Sequence, residues 1–453
     1  MNKITKNLAF TFLLTAFIFM MGCKKYLDEK SNKSLVVIET LDDLQGLLDN
    51  SSLMNLKTPG FGQPSDDDYF VKENVYNGFS ENSKKVYTWR LNNYNFPDDW
   101  GAAYNVIYNA NYCLQQISKI QKNPQNEQKW NNVMGSAHFY RGYYFLHLAW
   151  DYAKAYDETS FQSDLGIVLR LAIDFNVPSV RSNVKQTYEQ VINDLKESAK
   201  YLPDHPQHSM RPSKAASYGA LARAYLSMRK YDSAYRYSDL SLKIKDDLLD
   251  YNSSEIDPSS NVPFKPFNKE IVFYSTETAV YSPIASFYAL IDTVLYASYD
   301  SNDLRRSVFY FSNGGNKSFK GSYSSGRYTF FSGIATDELY LIRAECEARL
   351  EKVAEALDDL NTLLEKRYIM GKFIPVINLN EQQALDYILS ERRKELTMRG
   401  LRWIEIKRLN KENHNIGLKR ILGTTVFTLP PNDGRFALPL PQDVINITGM
   451  QQN

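Results

Sequence analysis

DYILSERRKELTMRGLRWIEIKRLN, residues Asp386 to Asn410, combines two short amphipathic helices with more charge than a buried element ordinarily tolerates. Ile388, Leu389, Arg392 and Leu396 fall at helical spacing, Gly400 breaks the pattern, and Leu401, Trp403, Ile404 and Ile406 resume it. Both halves are therefore expected to pack inward. Spacing alone gives the plainest account: a surface helix pair whose Glu391, Arg392, Arg393, Lys394 and Glu395 make contacts along the helix worth a few tenths of a kcal/mol each.

The 453 residues are 43% hydrophobic, enough for a large core. With 53 basic and 52 acidic residues the net charge is +1, so no field draws in nucleic acid or an acidic membrane surface. The 32 tyrosines suit wet recognition surfaces, although most are expected to pack between helices. Cys113 and Cys346 sit in helical apolar patterns far apart in sequence and read as small core residues, with a disulfide between them as the alternative in an oxidising compartment. Lys3 and Lys6 precede an uncharged apolar run from Leu8 to Met21, too short and wrongly flanked for a stable span, which reads as a signal peptide over residues 1–22.

Downstream, Leu41, Leu44, Leu47 and Leu48 line a helix for which Thr40 is a candidate N-cap. From Ser51 to Asp99 no period holds, and aromatics are scattered through Asn-, Asp-, Gly- and Pro-rich loops, where binding residues concentrate. Helical stripes return with Trp100, Tyr104 and Ile107, then with Phe139, Tyr143, Leu146 and Trp150, and again from Val184 to Leu202. Tyr218, Leu221, Ala222, Tyr225 and Ala234 stand at tetratricopeptide offsets, with a weaker copy at Tyr340, Ala344, Ala356 and Leu360. Such pairs bury their faces only by stacking. Between the two copies, Asn252 to Gly333 forms a second loop mass carrying Phe267, Phe273, Tyr274, Tyr281, Tyr288, Tyr296, Tyr299, Tyr323 and Tyr328, with a short strand expected over Glu270 to Ser275.

Several of these stretches resemble the SusD/RagB family: the Glu-Arg-Arg-Lys-Glu-Leu, Arg399-Gly400-Leu401-Arg402-Trp403 and Lys407-Arg408 wording, Trp100-x3-Tyr104-x2-Ile107-x3-Asn111, Asp303-Leu304-Arg305, Thr336-Asp337-Glu338-Leu339, and Phe436 to Gln442. Leu401 and Ile404-Glu405 depart mildly from the family wording. The resemblance implies a mostly α fold, a tetratricopeptide-like helical-pair scaffold with long irregular loops and a few short strands. It also implies arginines and glutamates that pair to tie the last helices to the domain, and a closing Pro-rich strand near the C-terminus. A single domain is expected over residues 23–453, with an N-terminal part to about 250 and a C-terminal part from about 251.

Met20-Met21-Gly22-Cys23 resembles a lipobox, which implies that Cys23 becomes an acylated N-terminus anchored in the outer membrane. The family further implies a TonB-dependent, SusC-like channel as partner, an oligosaccharide or a peptide as cargo, and no cofactor. No catalytic or metal-binding motif is present: the five histidines lack H-E-x-x-H spacing, and there is no cysteine cluster. The enzymatic alternative is a glycoside hydrolase drawing on Asp66, Asp67, Asp68, Asp98 and Asp99, and a protein-only adaptor is the third class. Aromatics outside helical stripes and beside polar neighbours are the candidate ligand contacts: Tyr69, Trp89 with Asn92 and Tyr94, Tyr299 and Tyr323.

Overall fold

The computed structural model describes residues 38–95, 99–277, 282–326 and 328–453. Cys23 and the leader lie outside the described residues. Ten helices carry the scaffold: α1 (Leu41–Leu48), α2 (Asp99–Ile117), α3 (Glu127–Tyr152), α4 (Val184–Tyr201), α5 (Lys214–Ser227), α6 (Tyr231–Leu242), α7 (Thr336–Arg349), α8 (Val353–Glu365), α9 (Glu381–Glu395) and α10 (Arg402–Asn410). The strands are short, all in two-stranded antiparallel pairs, so the fold is mostly α.

Helix α3 is the centre. From Phe139 to Tyr152 every residue is buried, because α2 and α4 pack along it and α1 and α10 cover other faces. Gly142 permits the close approach of α4, since a Cβ there would stand 3.0 Å from Asp194 Cβ and 3.1 Å from Leu195 Cγ. Beside it Arg141 donates to Asp194 at 2.6 and 2.9 Å and to Asn111 Oδ1 at 2.9 Å, which joins three helices through satisfied polar groups. Thr40 caps α1 as expected, in a reciprocal box with Asp43.

The two tetratricopeptide-like pairs are α5 with α6 and α7 with α8, and α6 stacks on α7. Each turns in the same way on a non-glycine residue in the left-handed region, Arg229 at φ 60° and Glu351 at φ 63°. The next amide reaches back to Tyr225 O or Glu347 O at 2.9 Å, closing both helices with one motif. Cys113 and Cys346 are free and buried, and burial pushes the Cys113 thiol up to about 12.

Three local expectations change. The first loop mass contains the short helices Ser51–Met54, Glu73–Asn77 and Glu81–Tyr87, each too brief to show a period. Residues Phe436 to Pro441 form no strand, since Pro439 and Pro441 lack amide donors for a ladder. The strand pair near the C-terminus is instead the hairpin Leu418–Leu422 with Thr425–Leu429. The expected strand in the second loop mass is present but shorter, Ile271–Phe273.

Residues 386–410 are not a surface pair. Gly400, at φ 71°, turns the chain between α9 and α10, and Glu391, Arg392, Lys394, Glu395, Glu405, Lys407 and Arg408 are all buried. Arg305 reaches Asp303 and Glu391 at 2.7 Å and Glu395 at 2.9 Å, while Arg367 joins Glu395 at 2.7 Å to Glu270 at 2.8 Å. Arg408 holds Glu345 of α7 with two bonds of 2.6 and 2.7 Å. Burial raises the Glu345 carboxyl, but Arg408, Arg349 and Arg392 outweigh it and lower it to about 2.

That depressed value stabilises the fold above the ordinary 4.5 of a glutamate, and the contribution disappears as pH falls from 4.5 to about 2. Glu345→Gln is expected to cost about 3 kcal/mol at neutral pH, as loss of one partner of a buried pair does. Denaturant titrations across pH 7 to 2 should show a flatter acid limb in the variant. An acid limb identical to the parent's contradicts the assignment.

Candidate functional site

The two loop masses meet. Tyr69–Phe70 of the first pairs antiparallel with Leu290–Ile291 of the second, and Asp292 N donates to Asp68 O at 2.8 Å. Just before that pair the chain makes a tight turn in which the amides of Tyr288 and Ala289 both reach Ala285 O, at 2.8 and 2.9 Å. The turn throws consecutive aromatics outward: Phe287 is 52% and Tyr288 37% exposed, and Tyr328 beside them is 49% exposed. Phe287 meets Tyr288 edge-on at 4.2 Å and Tyr328 at 5.9 Å, and Tyr288 rests at 5.3 Å on Phe79, which heads the short helix Glu81–Tyr87. The arrangement is an aromatic surface with one floor residue from the first loop mass and three outward rings from the second.

Of the residues expected to contact ligand, most lie elsewhere. Tyr69, Tyr94, Tyr299 and Tyr323 are buried, so the exposure on which they were chosen is absent. Tyr69 donates to Pro64 O at 2.7 Å under the Arg420 guanidinium, and Tyr94 packs on Phe61 with its hydroxyl 3.4 Å from that of Tyr152. Tyr299 bonds Tyr310 and Lys394 O, each at 2.7 Å, and Tyr323 donates to the Glu270 carboxylate. The physical reason is shared: a phenol offers a hydroxyl that satisfies a buried acceptor, and the interior here is rich in charged acceptors and carbonyls. Trp89 is also largely buried but lies, with exposed Asn92, on the wall of a cavity of about 730 Å³. Phe287 was not among the expected contacts, and the sequence carries no local signal for its exposure: the adjacent rings Phe330 and Phe331 of the same loop mass are buried.

The acidic run is structural. Burial and the neighbouring Asp68 and Asp67 carboxylates push Asp66 well above the usual range, and burial takes Asp68 to about 6 against the pull of Arg393. Asp67, despite its own burial, is held below the usual range by Arg402 at 2.7 Å and Arg393 at 3.3 Å. Asp99 accepts from Gly60 N at 2.9 Å, and Asp98 lies outside the described residues. A hydrolase needs two carboxylates flanking an open cleft, whereas Asp66 is buried against Gln63 and Asp68 N, and Asp67 and Asp68 are taken up by Arg393 and Arg402. Among the described residues no group of His, Cys, Asp and Glu stands ready to hold a metal ion, and no helix is long and apolar enough to cross a membrane.

Two family models match the chain, one described as starch-binding and associating with the outer membrane over residues 25–226, the other the SusD family over residues 299–446. The chain belongs to the SusD/RagB family. A SusD-like protein of Formosa agariphila is 22% identical over 394 residues, 72% of this chain and 75% of that one. A solved SusD superfamily protein of Bacteroides thetaiotaomicron aligns with TM-score 0.74 at 20% identity, covering 91% of this chain and 99% of that one. A SusD-like carbohydrate binding protein of Bacteroides vulgatus aligns with TM-score 0.67 at 20% identity, over 90% and 96% of the two chains. These likenesses establish a SusD fold, and the charged residues 386–410 lie within the second matched segment.

Within this SusD-type chain, outward and inward aromatics should separate under mutation. Tyr323→Ala and Tyr299→Ala are each expected to cost about 3 kcal/mol or more, as truncation of a large buried ring does. Phe287→Ala and Tyr328→Ala should stay within about 0.5 kcal/mol of the parent, the usual range for surface changes. Equilibrium unfolding in urea measures both. Equal losses in the two pairs contradict the division.

Proposed function

We propose that this chain is a cell-surface lipoprotein, anchored through Cys23, that captures an oligosaccharide on the Phe287–Tyr288–Tyr328 surface and passes it to a TonB-dependent channel. It carries out no covalent chemistry. The observation that supports the reading is the exposed aromatic cluster itself. A sugar ring has a face of C–H bonds bearing slight positive charge, and an aromatic face, negative through its quadrupole, attracts it while both lose water. Phe287, Tyr288 and Tyr328 stand outward at 37 to 52% exposure as a contiguous group of large rings, the kind of patch that marks a binding surface. The family's description as starch-binding and associating with the outer membrane agrees with the cargo and the location. A sugar is favoured over a peptide because the matching family model is described as starch-binding.

The test uses the full chain, solubilised in detergent from its own membranes. Titration with maltoheptaose and with cello-, xylo- and laminari-oligosaccharides of similar length should find one that binds, and Phe287→Ala with Tyr328→Ala should weaken it by more than about 1 kcal/mol, the threshold for an interface hot spot. The same preparation, captured by affinity, should bring down a large β-barrel, and Cys23→Ser should release the protein from the outer-membrane fraction. Undiminished binding by the double variant defeats the site, and repeated capture of the chain alone defeats the channel partnership.

A further inference from the structure

The cavity at Trp89 is a different environment from the aromatic surface. The short helix Glu81–Tyr87 separates them, with Phe79 leading into one end and Val86 lining the cavity at the other. The volume of about 730 Å³ lies within the range of small-molecule sites, roughly 300–1,000 Å³. The cavity wall comes from the first loop mass, from the chain after α3 and from the C-terminal loops.

Two of the cations on its wall are paired with carboxylate side chains. Lys154 pairs with Asp164 at 2.7 Å, and Arg435 holds Asp433 through two bonds of 2.8 Å. Arg90 is the third cation, and among the described residues it has no carboxylate partner: its Nε donates to Thr88 Oγ1 at 3.2 Å, and its guanidinium lies 4.5 Å from the centre of the Phe427 ring. Stacking on a ring fixes the plane of the guanidinium and leaves the terminal N–H groups along its edge to donate. Arg90 is thus the exposed cation of the wall that no carboxylate side chain holds, and the ring keeps it in orientation.

The backbone is arranged to hold it there. Trp89 sits at φ 55°, a conformation that costs a non-glycine residue about 1–3 kcal/mol and is retained only where its surroundings enforce it. Trp89 Nε1 donates to Ser65 O at 2.8 Å, and Arg435 Nη1 reaches Trp89 O at 3.4 Å. That left-handed residue precedes Arg90 directly, and Asn92, exposed two residues on, adds an amide to the same wall.

We propose that this cavity is a second ligand site, separate from the aromatic surface, that takes the end or branch of a chain carrying one carboxylate and pairs that carboxylate with Arg90. A planar guanidinium matches a carboxylate with two parallel bonds, and the Asn92 amide donates to or accepts from the hydroxyl or peptide groups beside it. The carboxylate chemistry is shared by a uronic acid unit and by a peptide C-terminus. This site goes beyond the capture of a neutral oligosaccharide on the aromatic surface and stands or falls independently of it.

The experiment titrates the detergent-solubilised full chain with trigalacturonate, its methyl ester, trialanine and trialanine amide. At least one free acid should bind about tenfold or more tightly than its neutralised counterpart. Arg90→Gln should abolish that preference, and Arg90→Lys should restore part of it, because a point charge replaces the fork. Arg90 is exposed, so both variants are expected to fold, and their binding of the neutral oligosaccharide should equal the parent's. Preference confined to trigalacturonate identifies an acidic glycan, and preference confined to trialanine identifies a peptide end. The proposal is overturned if neither acid binds, if acid and neutral forms bind alike, or if Arg90→Gln keeps the preference.

Discussion

Pairing of buried charge between the C-terminal helices and the rest of the chain is the constraint on which this structure depends. Arg305, Arg367 and Arg408 are each essentially enclosed, and removing a guanidinium from water costs several kcal/mol unless every donor finds an acceptor. The acceptors come from far along the sequence: Glu270 from the second loop mass, Glu345 from α7, Glu391 and Glu395 from α9. The cost of burial is met only when these segments are all in place, so the network favours one arrangement of the chain over loosely packed alternatives. Its demand is also specific, because removing one partner leaves another charge uncompensated.

The same helices reach the loops that carry the aromatic surface. Arg393 lies 3.3 Å from Asp67, 3.5 Å from Asp68 and 3.8 Å from Asp292, and Arg402 adds its own bond to Asp67 at 2.7 Å. Asp68 and Asp292 flank the strand pair that joins the two loop masses, directly after the turn bearing Phe287 and Tyr288. Loops of this length are costly to order, and two-stranded pairs are weak alone. Half-buried arginines projecting from rigid helices supply the missing constraint. The aromatic surface is therefore held by a scaffold whose charged residues also close the fold.

How far the sequence carried the reading follows the same division. Helical stripes were legible wherever they ran for several turns, as at Phe139 to Trp150, since periodicity reports which face is covered. The charged wording of residues 386–410 was legible through its family resemblance, whereas spacing alone favoured a surface pair, because spacing does not show where Asp303, Glu270 and Glu345 will lie. The aromatic site was the least legible part. Tyr299 and Tyr323 stand in the same kind of polar stretch as Tyr288 and Tyr328, and only three-dimensional neighbours decide that Lys394 O and Glu270 take the first two inward. Adjacency of rings gives no clue either, since Phe330 and Phe331 are buried where Phe287 and Tyr288 are exposed. Trp89 is buried rather than exposed, and the cavity that it and Asn92 line is completed by Asp433 and Arg435, more than three hundred residues away.

The central claim is that charge pairing from the C-terminal helices sets the loops that form the ligand surface. Hydrogen exchange on the full chain carrying Arg393→Gln tests it most directly, with Arg402→Gln as its companion. The account predicts faster exchange confined to residues 66–70 and 285–292, while α3, α5 and α7 keep the parent's protection. Unchanged exchange in both loop segments, with the helices equally protected, would contradict it.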